Sequence, residues 1–216
     1  MVHKLYLHEP VAIRSLMSQS RFAALLKRCP ERVAWALFVF VTASTSVLIL
    51  GGIALLLDAP FVFPSVGPTA ILFFFHPLSP SASPRHAVFG HLIGILCGYA
   101  SLWLVGLEHS KFALGQPLDV RRVIAAAVSL ALSASLMILL RAAHAPAGAT
   151  ALIVSLSLVT TPIHLLAIEL AVVLLATQAV IINRAVGLPY PVWASRKGSS
   201  MEQVESNPKS AGPSLP

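Results

Sequence analysis

The chain has 216 residues, of which 56% are hydrophobic and only 11% charged, and its mean hydropathy is +0.82. Such a composition places most of the chain in hydrocarbon and excludes a soluble catalytic domain. The formal charge of +7 is not the footprint of a nucleic-acid binder, because the basic residues crowd the ends of apolar runs and are not interleaved with aromatic ones.

Residues 1–32 form a basic leader in which Lys4, Arg14, Arg21, Lys27, Arg28 and Arg32 all precede the first apolar run. Positive charge beside a first span marks the cytoplasmic side, and Arg184, Arg196 and Lys197 repeat the signal more weakly at the other end. Both termini are expected in the cytoplasm, as in a bacterial inner-membrane protein. Within the leader, Ile13, Leu16, Met17, Ala24 and Leu25 fall near one helical face. Residues 13–27 therefore read either as a basic helix on the inner membrane surface or as a solvated leader.

The first apolar run, 33–57, is too long for the core of a cleaved signal and long enough to span. Runs at 87–106, 123–140 and 163–183 are also uninterrupted, which makes four firm spans. Between them lie two apolar stretches too short or too broken for ordinary spans: 61–75, containing Pro64 and Pro68, and 145–161, which begins beside Pro146. The predicted fold is an all-α polytopic transmembrane bundle over 33–183, with two short broken or re-entrant helices. A polar tail, 184–216, follows and reads as disordered from 195 onward. Cys29 and Cys97 provide no disulfide framework and read as inert.

The two broken stretches resemble one another. Gly67-Pro68-Thr69-Ala70-Ile71-Leu72 matches Gly148-Ala149-Thr150-Ala151-Leu152-Ile153, each shortly after a proline, so the chain reads as an internal repeat of 33–106 and 123–183. If the broken stretches cross, the halves are inverted, as in many secondary transporters; if both are re-entrant, four helices span and the repeats are parallel. Non-helical backbone that starts a helix at membrane depth leaves N–H groups free, and two such helix starts suggest a small-anion site. The competing reading is that Gly67 and Gly148 only let helices approach closely.

Ionisable residues inside the apolar region are costly and point to function. They are Arg85, Arg141 and Glu169, with His91, His144 and His164 beside them. Arg85 and Arg141 could hold an anion or reach out to headgroups. Glu169 lies inside the last span and needs a partner, for which an arginine or a histidine is available. With His91 it could carry protons coupled to transport. The histidines show no metal-ligand spacing, and no nucleophile, P-loop or dinucleotide motif stands in a proper context, so neither a metal, a haem or other cofactor, nor an enzymatic activity is expected.

Taken in order, Pro64-Ser65-Val66-Gly67-Pro68-Thr69-Ala70, Pro77-Leu78-Ser79-Pro80, Pro84-Arg85, Gly90-His91 and His144-Ala145-Pro146-Ala147-Gly148-Ala149-Thr150-Ala151-Leu152 resemble the HPP family of small integral membrane proteins. The resemblance covers 33–183. The triplet His-Pro-Pro that names the family falls on His144-Ala145-Pro146, where alanine replaces the middle proline. The resemblance implies a four-helix membrane protein and, because some photosynthetic relatives are linked to nitrite, a transporter of a small inorganic anion. The anion would rest near Gly67, Thr69, Gly148 and Thr150, with Arg85, His91, Arg141 and His144 supplying charge or protons and Glu169 coupling them. The lipid bilayer and the small anion are the expected partners, nucleic acid is not, and homo-oligomerisation is left open. The rival class is a non-transporting scaffold or assembly subunit.

Overall fold

The computed structural model describes residues 30–58, 62–110, 117 and 119–194. The leader reading over 13–27 and the tail beyond 195 lie outside the described residues. The described chain is helical: α1 (Glu31–Leu57), α2 (Val66–Phe75), α3 (Pro84–Val105), α4 (Val120–Leu139), α5 (Ala147–Ser155) and α6 (Pro162–Ala185), with a short 3-10 turn at Pro80–Ala82. No strand occurs among the described residues.

Among the described residues, α1, α3, α4 and α6 are the four helices long and apolar enough to cross a membrane, matching the predicted spans within a few residues. Large side chains such as Phe40, Leu48, Leu56, Trp103, Ile138 and Ile163 stand exposed along them. In water such a surface would drive aggregation, whereas against acyl chains it is the expected outer face. Proline opens α3 and α6, where its missing N–H and fixed φ suit the first turn. Asp119 caps α4 by accepting the Arg122 backbone N–H at 2.9 Å. That bond holds the Asp119 carboxyl below its ordinary range, so the cap's contribution is complete above that range and is lost as pH falls from it through the lowered value.

At ten and nine residues, α2 and α5 are only about 15 Å long and span about half the hydrocarbon core. Each nevertheless carries the chain from one end of the bundle to the other, together with the irregular backbone before it. One end, here the near end, gathers the start of α1, the segment after α2 and the segment after α6, where Trp35, Leu78 and Val186 pack on buried Leu188. It also holds the start of α3 and the end of α4: the Arg85 N–H donates to Trp193 O at 2.9 Å, and Arg85 Nη1 donates to Arg141 O at 2.9 Å. At the far end, Leu107 after α3 packs against Ala125 in α4. The chain therefore makes six passes, and the re-entrant alternative is set aside.

The halves run in opposite senses. Exchanging α1 with α4, α2 with α5 and α3 with α6 maps the principal helix contacts onto themselves: α1 on α2 becomes α4 on α5, α2 on α6 becomes α5 on α3, and α1 on α6 becomes α4 on α3. Even the ends correspond, since Asp58 after α1 and Arg141 after α4 both adopt left-handed backbone, at φ 47° and 51°. This is an inverted repeat about an axis through the middle of the bundle.

Candidate functional site

The two broken helices begin inside the bundle, and each places a threonine one turn in from its start. Thr69 of α2 and Thr150 of α5 are both fully buried, and both reach the same side chain, His91 of α3. His91 Nε2 lies 3.0 Å from Thr69 Oγ1, and His91 Nδ1 lies 2.7 Å from Thr150 Oγ1. His144, in the irregular segment before α5, joins from the other side: its Nε2 is 3.3 Å from Thr69 Oγ1 and its Nδ1 is 2.8 Å from Ser81 O. The two imidazole centroids are 5.2 Å apart, and Phe73 lies against His144.

Chemistry orients this chain. A carbonyl only accepts, so His144 Nδ1 carries hydrogen and donates to Ser81 O. With His144 neutral, its Nε2 is a lone pair to which the Thr69 hydroxyl hydrogen can turn; Thr69 oxygen then accepts His91 Nε2–H, and His91 Nδ1 accepts from Thr150. Every group is satisfied with both imidazoles uncharged. Thr69 Oγ1 also lies 2.9 Å from Ser65 O. If His144 takes a second proton, its Nε2–H donates to Thr69 oxygen, and the Thr69 hydrogen turns to the Ser65 carbonyl. The cluster can therefore accept one proton, and with it one positive charge, by rotating a single hydroxyl.

The glycines that permit this assembly are not the two in the repeated strings. Gly90, Gly94 and Gly98 form a stripe on α3 against which α5 lies. A Cβ there would fall 2.7 Å from His144 Cβ, from Ala147 O and from Val154 Cβ respectively, closer than real side chains pack. Gly67 has open space where a Cβ would go, and Gly148 meets only the tip of Leu130, at 3.1 Å. Close approach through Gly67 is thus corrected. Gly67→Ala is expected to leave yield and thermal midpoint unchanged, a result checked by unfolding in detergent.

Of the residues singled out from sequence, Thr69, His91, His144 and Thr150 come together. Arg85 and Arg141 do not join them: Arg141 is exposed at the near end, and Arg85 clamps the Arg141 carbonyl with its guanidinium 5.6 Å from the Phe89 ring centroid. Nor are the N–H groups that open α5 free. Those of Ala147, Gly148 and Ala149 donate to His144 O, Ala145 O and Pro146 O, because the chain enters the helix through tight turns that use them. Glu169, half-buried in α6, finds none of the partners foreseen for it, since both carboxylate oxygens are buried without a hydrogen-bond partner. Ser65, completely buried at the start of α2, likewise has an unpartnered hydroxyl. No group of three or more metal-ligating side chains occurs among the described residues.

Residues 29–191 match the family model described as HPP, transmembrane region. No match was found among curated proteins or among solved structures.

Proposed function

The chain belongs to the HPP transmembrane family, and from that premise we propose that it carries a small inorganic anion, with nitrite the first to test, across the membrane through the buried Thr69–His91–His144–Thr150 cluster. The observation that carries the reading is that first-turn threonines from two inversely related broken helices meet on one histidine inside the bundle. An anion needs positive charge at membrane depth. Since Arg85 and Arg141 stand at the near end, that charge comes from the proton His144 accepts, so anion and proton move together. The orphaned Ser65 hydroxyl offers the anion a further donor at the start of α2.

Arg85 and Arg141 then act at the mouth, raising the local anion concentration at the near end. That end also carries Arg32 and Arg184, while Arg122 at the far end is paired with Asp119. Four arginines at the near end, Arg32, Arg85, Arg141 and Arg184, against Arg121 and Arg122 at the far end support reading the near end as the cytoplasmic one.

The test is uptake of nitrite, nitrate, chloride and formate into proteoliposomes, with and without an inward proton gradient. Nitrite uptake above that of empty vesicles, accelerated by the gradient, is the expected result. Well-folded protein that takes up none of the four anions would point to the non-transporting scaffold class.

A further inference from the structure

Glu169 is a carboxyl inside the bundle that the cluster of Thr69, His91, His144 and Thr150 does not use. Both its carboxylate oxygens are buried without a hydrogen-bond partner, in a helix facing hydrocarbon, where an unmet polar atom is costly. The elements packed against α6 are α1, α2 and α3. Among them α2 carries no titratable side chain and α1 has its only charged residues, Glu31 and Arg32, in its first turn. On α3 stand Arg85, His86, His91, Cys97 and Tyr99, none of which donates to Glu169.

Its place in the repeat supplies a reason for this. The helices α3 and α6 correspond, and so do their sequences: Pro84, His86 and His91 stand at the spacing of Pro162, His164 and Glu169. The first pair opens the helix, and the last is seven residues further on in both cases. Glu169 is therefore the inverted-repeat counterpart of His91, as Thr69 is of Thr150. In the present conformation His91 holds both threonines and Glu169 holds nothing.

An inverted repeat has a second conformation of the same kind, in which the two halves exchange their roles and the site faces the opposite end. Under that exchange the two contacts of His91 become contacts of Glu169 with the same two threonines. The geometry points to Glu169 as the residue that replaces His91 between Thr69 and Thr150 when the bundle turns over. A protonated carboxyl and a neutral imidazole each offer one donor and one acceptor, so either can bridge the pair. The alternation thus passes the threonine pair from a histidine of the first half to a carboxyl of the second, and a proton can leave from the carboxyl on the far side. This inference rests on the transport reading above.

The experiment uses full-length protein in proteoliposomes, nitrite as the probe, and two variants. Glu169→Leu removes the second bridge and leaves the present conformation favoured; nitrite counterflow at equal pH should fall at least about tenfold while the protein stays monodisperse. Glu169→Gln keeps a donor and an acceptor but cannot shed a proton; counterflow should stay within about twofold of wild type while accumulation driven by a proton gradient is lost. If Glu169→Leu exchanges and accumulates nitrite as wild type does, the inference is overturned and the transport reading stands. If wild type itself moves no nitrite, the transport reading fails and the inference falls with it. Should Glu169→Leu not fold, Glu169→Gln decides alone: undiminished gradient-driven accumulation refutes the role.

Discussion

Gly94→Val should abolish recovery of monodisperse protein, with Gly94→Ala intermediate. The glycine stripe brings α3 and α5 so close that a Cβ at position 94 would sit 2.7 Å from Ala147 O and 3.4 Å from Ala151 N. Both are backbone atoms of a helix, so no side-chain rotation relieves the clash, and α5 must move away bodily. Overpacking of this kind costs about 1–3 kcal/mol where side chains can yield, and more where backbone must. The displacement would also pull Thr150, one turn further along, from its 2.7 Å contact with His91. Yield and thermal midpoint in detergent provide the measurement. A Gly94→Val protein with wild-type yield and midpoint would show that the two helices do not touch there.

That stripe marks a limit of what was legible. The four long spans were plain because each is a run of apolar residues of membrane length, and a length criterion needs no knowledge of neighbours. The repeat was legible because Gly67 to Leu72 and Gly148 to Ile153 share residue types in order. The crossing number was not legible, since loop charges such as Arg85 and Arg141 against Arg121 and Arg122 nearly balance; contacts that join the start of α1 and the segment after α6 to the chain entering α3, such as Trp35 with Leu78 around Leu188 and the Arg85 N–H to Trp193 O, decided it. Gly90-x-x-x-Gly94-x-x-x-Gly98 is itself a readable small-residue pattern, overshadowed by the glycines of the repeated strings. The site divided along similar lines. Titratable residues at membrane depth stand out in the sequence, but which of them meet depends on helix rotation: His91 turns to both threonines while Arg85 reaches only a carbonyl at the near end.

The second large effect is expected at His91, where two substitutions separate folding from function. His91→Phe keeps an aromatic ring of similar bulk but removes both hydrogen-bonding nitrogens. Thr150 then loses its acceptor and Thr69 loses a donor, and each buried polar group left unmet costs about 1–3 kcal/mol. The cost should fall at the low end, because a helical threonine can turn its hydroxyl to the carbonyl four residues earlier, as Thr69 already can to Ser65 O at 2.9 Å. His91→Gln retains one donor and one acceptor and should hold its thermal midpoint within about 4 °C of wild type. Neither variant can pass a proton between Thr150 and Thr69, because only imidazole takes hydrogen at one nitrogen while releasing it at the other. Gradient-driven nitrite uptake should therefore fall to the level of empty vesicles in both. Full uptake by a stable His91→Gln protein would remove the histidine from the proton path. It would leave the cluster as a packing device that fixes two broken helices against α3.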